Sequence, residues 1–395
     1  MRRPRHASPL LVAAAALALG AARGHAAPLD DLARELVGAG QGVFVQAEDG
    51  TVLAAQAERR PVHPASVTKI ATTLALLERL GPDHRFATRL LAGGPLRDGT
   101  LAGDLVVDAD GDPFLVDEGA ARLLARLHAR GVRRVQGTLV VRGPLLFDWR
   151  PDPDGRALRS ALAGHIAADA WRAAVADGTP SADALRFDGM RADDAASPPP
   201  LAVHRSPPLR TIVKALNGYS NNVFHPLSDA VGGPHAVQTI ARAAVPEGIA
   251  PDEIVIDNAA GAQTTNRLSP RAAVAILAAL GRTLARLGLD YPDVLPVSGM
   301  DHGTLADRLD AGGLRGAVVG KTGSYGDVGA SALVGVLRTP RHGRVRFAIL
   351  NAWVPVPEAR RRQDAFVRAL IAAEDAQPWP YVPDPRPPVS AATVD

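Results

Sequence analysis

Apolar and polar positions change rhythm several times along this chain, and each change marks an element. PLDDLARELVGAG (28–40) has the spacing of a short amphipathic helix stopped by glycines. GVFVQAEDGTVLAAQAE (42–58) is two β-rich runs around Asp49-Gly50, which predicts a hairpin. SVTKIATTLALLERLG, from Ser66, keeps a helical period, is apolar enough to be buried, and stops at Gly81. Between about 88 and 205 the texture differs. GTLAGDLVVDADGDPFL and GVRRVQGTLVVRGPLLFD read as short Val/Leu strands with Gly and Asp turns, and DEGAARLLARLHARG as a helix between them. Prolines near 198–208 mark a boundary, so 88–205 reads as a small lobe inserted after the Ser66 helix.

The rest alternates in the same way. LRTIVKALNGYSNNVFHPLSDAVGG (209–233) predicts helix, tight turn, helix, and two more helices follow in PHAVQTIARAAVPEG and SPRAAVAILAALGRTLARLG. KTGSYGDVGASALVGVLRT and GRVRFAILNAWV read as two antiparallel strands joined at PRHG, and PEARRRQDAFVRALIAAEDA as a closing helix. The Pro-rich end (377–395) is expected to be a disordered tail.

Composition changes this picture at the N-terminus. A basic start and the apolar run LLVAAAALALGAA (10–22), with small residues at Gly24 and Ala26, predict a signal peptide over 1–26, too short to span a bilayer comfortably. An exported, periplasmic chain without an integral membrane span is expected after cleavage. The leader carries Arg2, Arg3, Arg5 and Arg23 and no acid, so its removal takes the formal charge from +3 to −1. The basic pI near 9.6 therefore gives no support to a nucleic-acid partner. There is no cysteine, hence no disulfide and no thiolate metal site.

Candidate chemistry sits on two of only three lysines. Arginines number 41; the lysines are Lys69, Lys214 and Lys321. Ser66 and Lys69 stand three apart at a helix start, on one face. A serine hydroxyl attacks well only when a base takes its proton, and lysine becomes such a base when burial or a nearby cation lowers its pKa. Arginine cannot substitute, because its guanidinium keeps its proton. Alone, an S-x-x-K also arises by chance.

In GKTGS (320–324), Lys321, Thr322 and Ser324 offer an ammonium and hydroxyls to a carboxylate, while Gly323 lets a substrate backbone approach the strand. A phosphate loop is excluded because the required upstream glycine falls one place out of register, at Gly316. In GYSNN (218–222), Ser220 and Asn222 stand at an inter-helix turn, where they either face a cleft or simply cap a helix. A nucleophile elbow fails there at Asn222. His63, near Ser66, reads as an exposed loop residue; His225 and His302 find no partners for a metal site, and no H-E-x-x-H occurs.

S-x-x-K, S-x-N and K-T-G occur in this order, on a helix start, an inter-helix turn and a strand. So arranged, they resemble the penicillin-recognising serine acyl enzymes. HPASVTKIATTLALLERLGPDHRFATRL, LAGDLVVDADGDP, SPPLRTIVKALNGYSNNVFHPL, LPVSGMDHGTLADRL and LRGAVVGKTGS are similar to successive stations of the low-molecular-weight class C penicillin-binding proteins. These are D-alanyl-D-alanine carboxypeptidase/endopeptidases related to penicillin-binding protein 4.

The resemblance implies an α/β fold: a serine β-lactamase/transpeptidase-like domain with an antiparallel sheet flanked by helices, an α-rich half, and a small inserted α/β lobe. It divides the chain into a discontinuous domain (27–87 and 206–376), the lobe (88–205) and the tail. It further implies that Ser66 is acylated with Lys69 as general base. Ser220 would relay a proton to the departing amine and Asn222 hold the substrate amide. Lys321 would supply positive potential, Thr322 and Ser324 bind the terminal carboxylate, and the N–H groups of Ser66 and Ser324 stabilise the oxyanion. Peptidoglycan stem peptides are the implied substrates, β-lactams the implied covalent inhibitors, and no cofactor or metal is expected. Two departures stand out: Ser324 follows K-T-G where threonine is usual, and DNAAG (257–261) replaces D-G-S-G, which is expected to alter the cleft wall. A β-lactamase and a non-catalytic wall-binding protein of the same fold are the alternatives.

Overall fold

A computed structural model describes residues 28–190, 200–310 and 312–395. The expected signal peptide and the first prolines of the 198–208 boundary lie outside the described residues. After a helical segment at 29–38, strands β1 (Gly42–Gln46) and β2 (Val52–Gln56) pair as the expected hairpin, where Asp49 Oδ1 accepts from Thr51 N at 2.9 Å. A 3-10 turn, Ala65–Thr68, feeds helix α1 (Lys69–Leu80), which ends at Gly81.

The chain then enters a second body: β3 (Ala87–Ala92), β4 (Leu105–Ala109), α2 (Asp117–Ala129), β5 (Leu139–Arg142) and β6 (Pro200–Arg205). It returns through helices α3 (Leu209–Tyr219), α4 (Gly233–Ala244) and α5 (Pro270–Arg286). Strands β7 (Val319–Tyr325), β8 (Ala330–Thr339) and β9 (Gly343–Asn351), helix α6 (Val356–Glu374) and a last short strand β10 (Thr393–Val394) complete it.

The first sheet has the order β7-β8-β9-β1-β2 and is antiparallel throughout. Helices cover both faces, so its strands bury alternate residues in opposite directions. Phe44, Val334, Val336, Ala348 and Leu350 join the core formed with α1, α3, α4 and α5. Val43, Val45, Leu333, Leu337, Phe347 and Ile349 pack with Phe366, Val367 and Leu370 of α6. A second sheet, β10-β6-β3-β4-β5, is built around its own core, including Leu90, Val107, Leu123, Leu127 and Leu158. This is the α/β arrangement the resemblance implies.

Two expectations need correction. The segment 321–339 is not one strand: Gly326–Val328 form a 3-10 turn closed by Gly329, which folds β7 back on β8 with Lys321 opposite Val334. Nor is the Pro-rich end loose. Trp379 N donates to Gly316 O at 2.8 Å, and Tyr381 OH to Asp301 Oδ1 at 2.7 Å. Lys214 Nζ lies 4.5 Å from the Tyr381 ring centroid, and β10 pairs with β6. Proline removes backbone donors but does not prevent side chains and the remaining amides from docking.

Candidate active site

The site forms where the 65–68 turn, the end of α3 and strand β7 meet. Ser66 is half-buried, whereas Lys69, first residue of α1, is fully buried. Lys69 Nζ reaches Ser66 Oγ at 2.7 Å, Ala260 O at 2.6 Å and Asn222 Oδ1 at 3.3 Å. Desolvation lowers the Lys69 pKa to about 7, since burial disfavours the ammonium. The structure thus brings together the serine and lysine that helical spacing paired.

Ser220 caps α3 in the left-handed region, with φ 58° and ψ 37°. That conformation is uncommon for a non-glycine residue and turns its hydroxyl toward β7, where Lys321 Nζ donates to Ser220 Oγ at 2.9 Å. Lys321 is fully buried and also donates to Thr322 O at 2.9 Å. Burial and, after it, the neighbouring Lys69 hold the Lys321 pKa well below the usual lysine value. Thr322 Oγ1 bonds Thr304 Oγ1 at 2.7 Å. Ser324 is exposed at the strand end; its hydroxyl donates to Gly323 O at 2.8 Å and accepts from Arg360 Nη2 at 3.1 Å. A methyl at Gly323 would lie 2.7 Å from Pro64 O and 3.1 Å from Ser66 N, so only glycine lets β7 approach the Ser66 turn this closely.

Ser66, Lys69 and Asn222 form one hydrogen-bonded group and Ser220, Lys321 and Thr322 a second, and Gly323 brings the strand carrying Lys321 and Ser324 against Ser66. Sequence reasoning missed several partners. The DNAAG segment presents main-chain carbonyls: Ala260 O to Lys69, and Ala259 O to Thr72 Oγ1 at 2.7 Å. Asn266 braces it, with Oδ1 accepting from Asp257 N and Asn258 N, both at 3.0 Å. What this segment supplies to Lys69 is a backbone group that any residue type carries. Thr304 lies within the LPVSGMDHGTLADRL stretch but was not singled out, and Arg360 lay outside every motif. His63 is a correction: it is 8% exposed, not solvated, because the 263–267 loop and Tyr325 close over it.

Gly261 has φ +74° and presses on the turn; a Cβ there would sit 1.9 Å from Ala65 O. Gly261→Ala is expected to cost about 3 kcal/mol by combined backbone strain and overlap. It should also lower acylation by displacing Ser66. Urea melts beside acylation kinetics would check this, and a variant as stable and as active as wild type would refute it.

A buried lysine on a serine hydroxyl, a second serine–lysine pair and a glycine-bearing strand edge, set beside an antiparallel sheet and an α-rich half, are the arrangement expected of the penicillin-recognising serine enzymes. More particularly, the chain belongs to the D-Ala-D-Ala carboxypeptidase 3 (S13) family, which matches residues 26–154 and 160–372, and it is a serine-type carboxypeptidase hydrolase. Carboxypeptidase DacB of Mycolicibacterium smegmatis is 30% identical over 380 residues, covering 83% of this chain and 79% of that protein. A D-alanyl-D-alanine carboxypeptidase of Actinomadura is 34% identical over 137 residues, 33% of this chain and 25% of that one. A predatory peptidoglycan endopeptidase from Bdellovibrio bacteriovorus shares the fold, with TM-score 0.72 at 20% identity over 90% of this chain and 98% of that structure. Penicillin-binding protein 4 from Haemophilus influenzae gives 0.61 at 18% identity, over 86% and 98%. Among the described residues no helix is long and apolar enough to cross a membrane.

Proposed function

We propose that this protein is a serine DD-peptidase acting on peptidoglycan stem peptides through an acyl-enzyme on Ser66. The observation that carries this reading is the 2.7 Å contact of a buried lysine, with a pKa of about 7, on Ser66 Oγ. Neutral Lys69 takes the hydroxyl proton as Ser66 Oγ attacks the carbonyl carbon of the penultimate D-alanine. The tetrahedral oxyanion is met by the N–H groups of Ser66 and Ser324, each worth about 3 kcal/mol in such holes. Collapse breaks the C–N bond. Ser220, polarised by Lys321, passes a proton to the departing amine, and water then hydrolyses the ester and restores Ser66.

Asn222 orients the substrate amide, and Thr322 and Ser324 receive the terminal carboxylate, with Arg360 adding a positive charge beside Ser324. The same chemistry serves a D-Ala-D-Ala terminus or a cross-link. The Bdellovibrio endopeptidase of similar fold has been captured acylated by penicillin G, which supports β-lactams as covalent inhibitors here. We assign residues 1–26 as a signal peptide and the periplasm as the place of action. We take 27–87 with 206–376 as the catalytic domain and 88–205 as the inserted lobe.

The test is the intact mass of the mature protein after incubation with penicillin G, followed by peptide mapping. One penicilloyl unit on the peptide containing Ser66, with release of D-alanine from a pentapeptide, is the expected result. An adduct on another residue sinks the assignment of Ser66. Rapid antibiotic hydrolysis without an adduct moves the protein to the β-lactamases, and no adduct and no turnover in a folded protein leaves a wall-binding relative.

A further inference from the structure

We propose that His63 is a positioning residue that holds the nucleophile turn in register with the loop holding the general base, and that it does so only as the neutral Nε2–H tautomer. The proposal rests on the acyl-enzyme reading above. Ala65, directly before Ser66, has φ +47°, a conformation alanine avoids. Its two polar main-chain atoms are both tied down. Ala65 N donates to His63 Nδ1 at 3.2 Å, and Ala65 O accepts from Thr68 Oγ1 at 2.9 Å. The other ring nitrogen, His63 Nε2, stands 2.6 Å from Gln263 O.

The partners dictate the tautomer. An amide N–H can only donate, so Nδ1 must accept; a carbonyl can only accept, so Nε2 must carry the proton. Gln263 lies just beyond Gly261 on the segment whose Ala260 carbonyl grips Lys69. One imidazole therefore spans the turn that aims Ser66 and the loop that seats Lys69.

A second proton would undo this link. It would place an N–H on Nδ1 facing the N–H of Ala65, and the turn would have to rotate away. The groups around the ring are Arg267, whose charge opposes protonation, the Gln263 carbonyl, which favours it, and Tyr325, whose ring centroid is 4.9 Å away. Burial is the largest influence, and the net effect lowers the histidine pKa below its usual value near 6.5. The active, neutral form is present above that lowered pKa and is lost as pH falls through it.

The experiment compares penicillin acylation rates of wild type, His63→Leu and His63→Asn between about pH 5 and 9, with melting temperatures. Asparagine carries Oδ1 where histidine carries Nδ1, so it keeps the acceptor for Ala65 N and removes the titration. His63→Leu is expected to acylate roughly 10-fold more slowly at pH 8, the scale of one lost oriented hydrogen bond. His63→Asn keeps the bond to Ala65 N but does not reach Gln263 O, so it is expected to acylate at a rate between wild type and His63→Leu at pH 8. On the acid side, wild type should approach a two-proton slope, from Lys69 and His63, and His63→Asn a one-proton slope.

Wild-type rates in folded His63→Leu, or equal impairment of both variants, would overturn the proposal. If the leucine variant does not fold, the slope of His63→Asn decides alone, and an unchanged two-proton limb counts against it. A wild type that takes no adduct sinks the acyl-enzyme reading and this proposal together. A normal wild-type adduct with unaffected variants sinks this proposal only.

Discussion

Ser66→Ala is expected to abolish the penicilloyl adduct and to lower stem-peptide hydrolysis roughly 10⁴-fold or more, the scale seen when a serine nucleophile is removed. Of the three hydrogen-bond partners of Lys69 among the described residues, only Ser66 is a hydroxyl; the others are a carbonyl and a side-chain amide oxygen. No other partner of the base can form the ester. The fold should hardly notice. Ser66 is half-buried, the turn keeps its backbone bonds, and Lys69 keeps Ala260 O, so about 1 kcal/mol is the expected cost. Acylation kinetics and a denaturant melt on the same preparation would check both halves. A Ser66→Ala protein that still forms the adduct would refute the assignment.

The second large effect is on Lys69. Lys69→Met should slow acylation roughly 10³-fold, within the range for loss of a general base. Lys69→Arg should fare no better, because a guanidinium does not release its proton. The wild-type pH profile follows from the lysine pKa of about 7. The neutral, active form gains population as pH rises through 7, so the rate should climb across that value, and Lys69→Met should lose this limb.

Stability carries the same signature. The lysine pKa is lower in the folded than in the unfolded chain, so between about 7 and 10.5 the unfolded chain binds more protons. Stability contributed through this group then rises with pH over that window and is lost as pH falls through 7. Melts of wild type and Lys69→Met at several pH values should differ in slope there. Parallel slopes and unchanged rates in the variant would show that Lys69 is not the base.

Two of the three scarce lysines meet a serine hydroxyl. Lys69 and Lys321 are fully buried against Ser66 and Ser220, but Lys214 pairs with Asp301 at 2.5 Å and stacks on Tyr381, a fastening for the C-terminal segment. Its burial also lowers its pKa, against the pull of Asp301, so burial alone does not mark a catalytic lysine. What separates them is the partner, a hydroxyl for Lys69 and a carboxylate for Lys214, and on that difference we propose Lys69 as the base.

What the sequence determined by itself is what depends on local spacing. The Asp49-Gly50 hairpin, the helix from Lys69 to Leu80, and the Ser66–Lys69 pair on one helical face follow from neighbours a few residues apart. The serine and asparagine of the inter-helix turn were likewise legible as motif, as was the Lys-Thr-Gly-Ser strand. Tertiary structure alone decided what those groups touch. Ala260 reaches Lys69 with a main-chain carbonyl, and no residue identity announces a carbonyl. The left-handed Ser220 faces Lys321 because a loop from 298 to 304 bonds the end of α3, with Thr304 N on Gly218 O at 3.0 Å. His63 is buried by a loop 200 residues further along, and the proline-rich end is held by partners as distant as Gly316 and Val203. Burial and the pKa of a lysine are sums over contacts distant in sequence, and only the folded chain performs that sum.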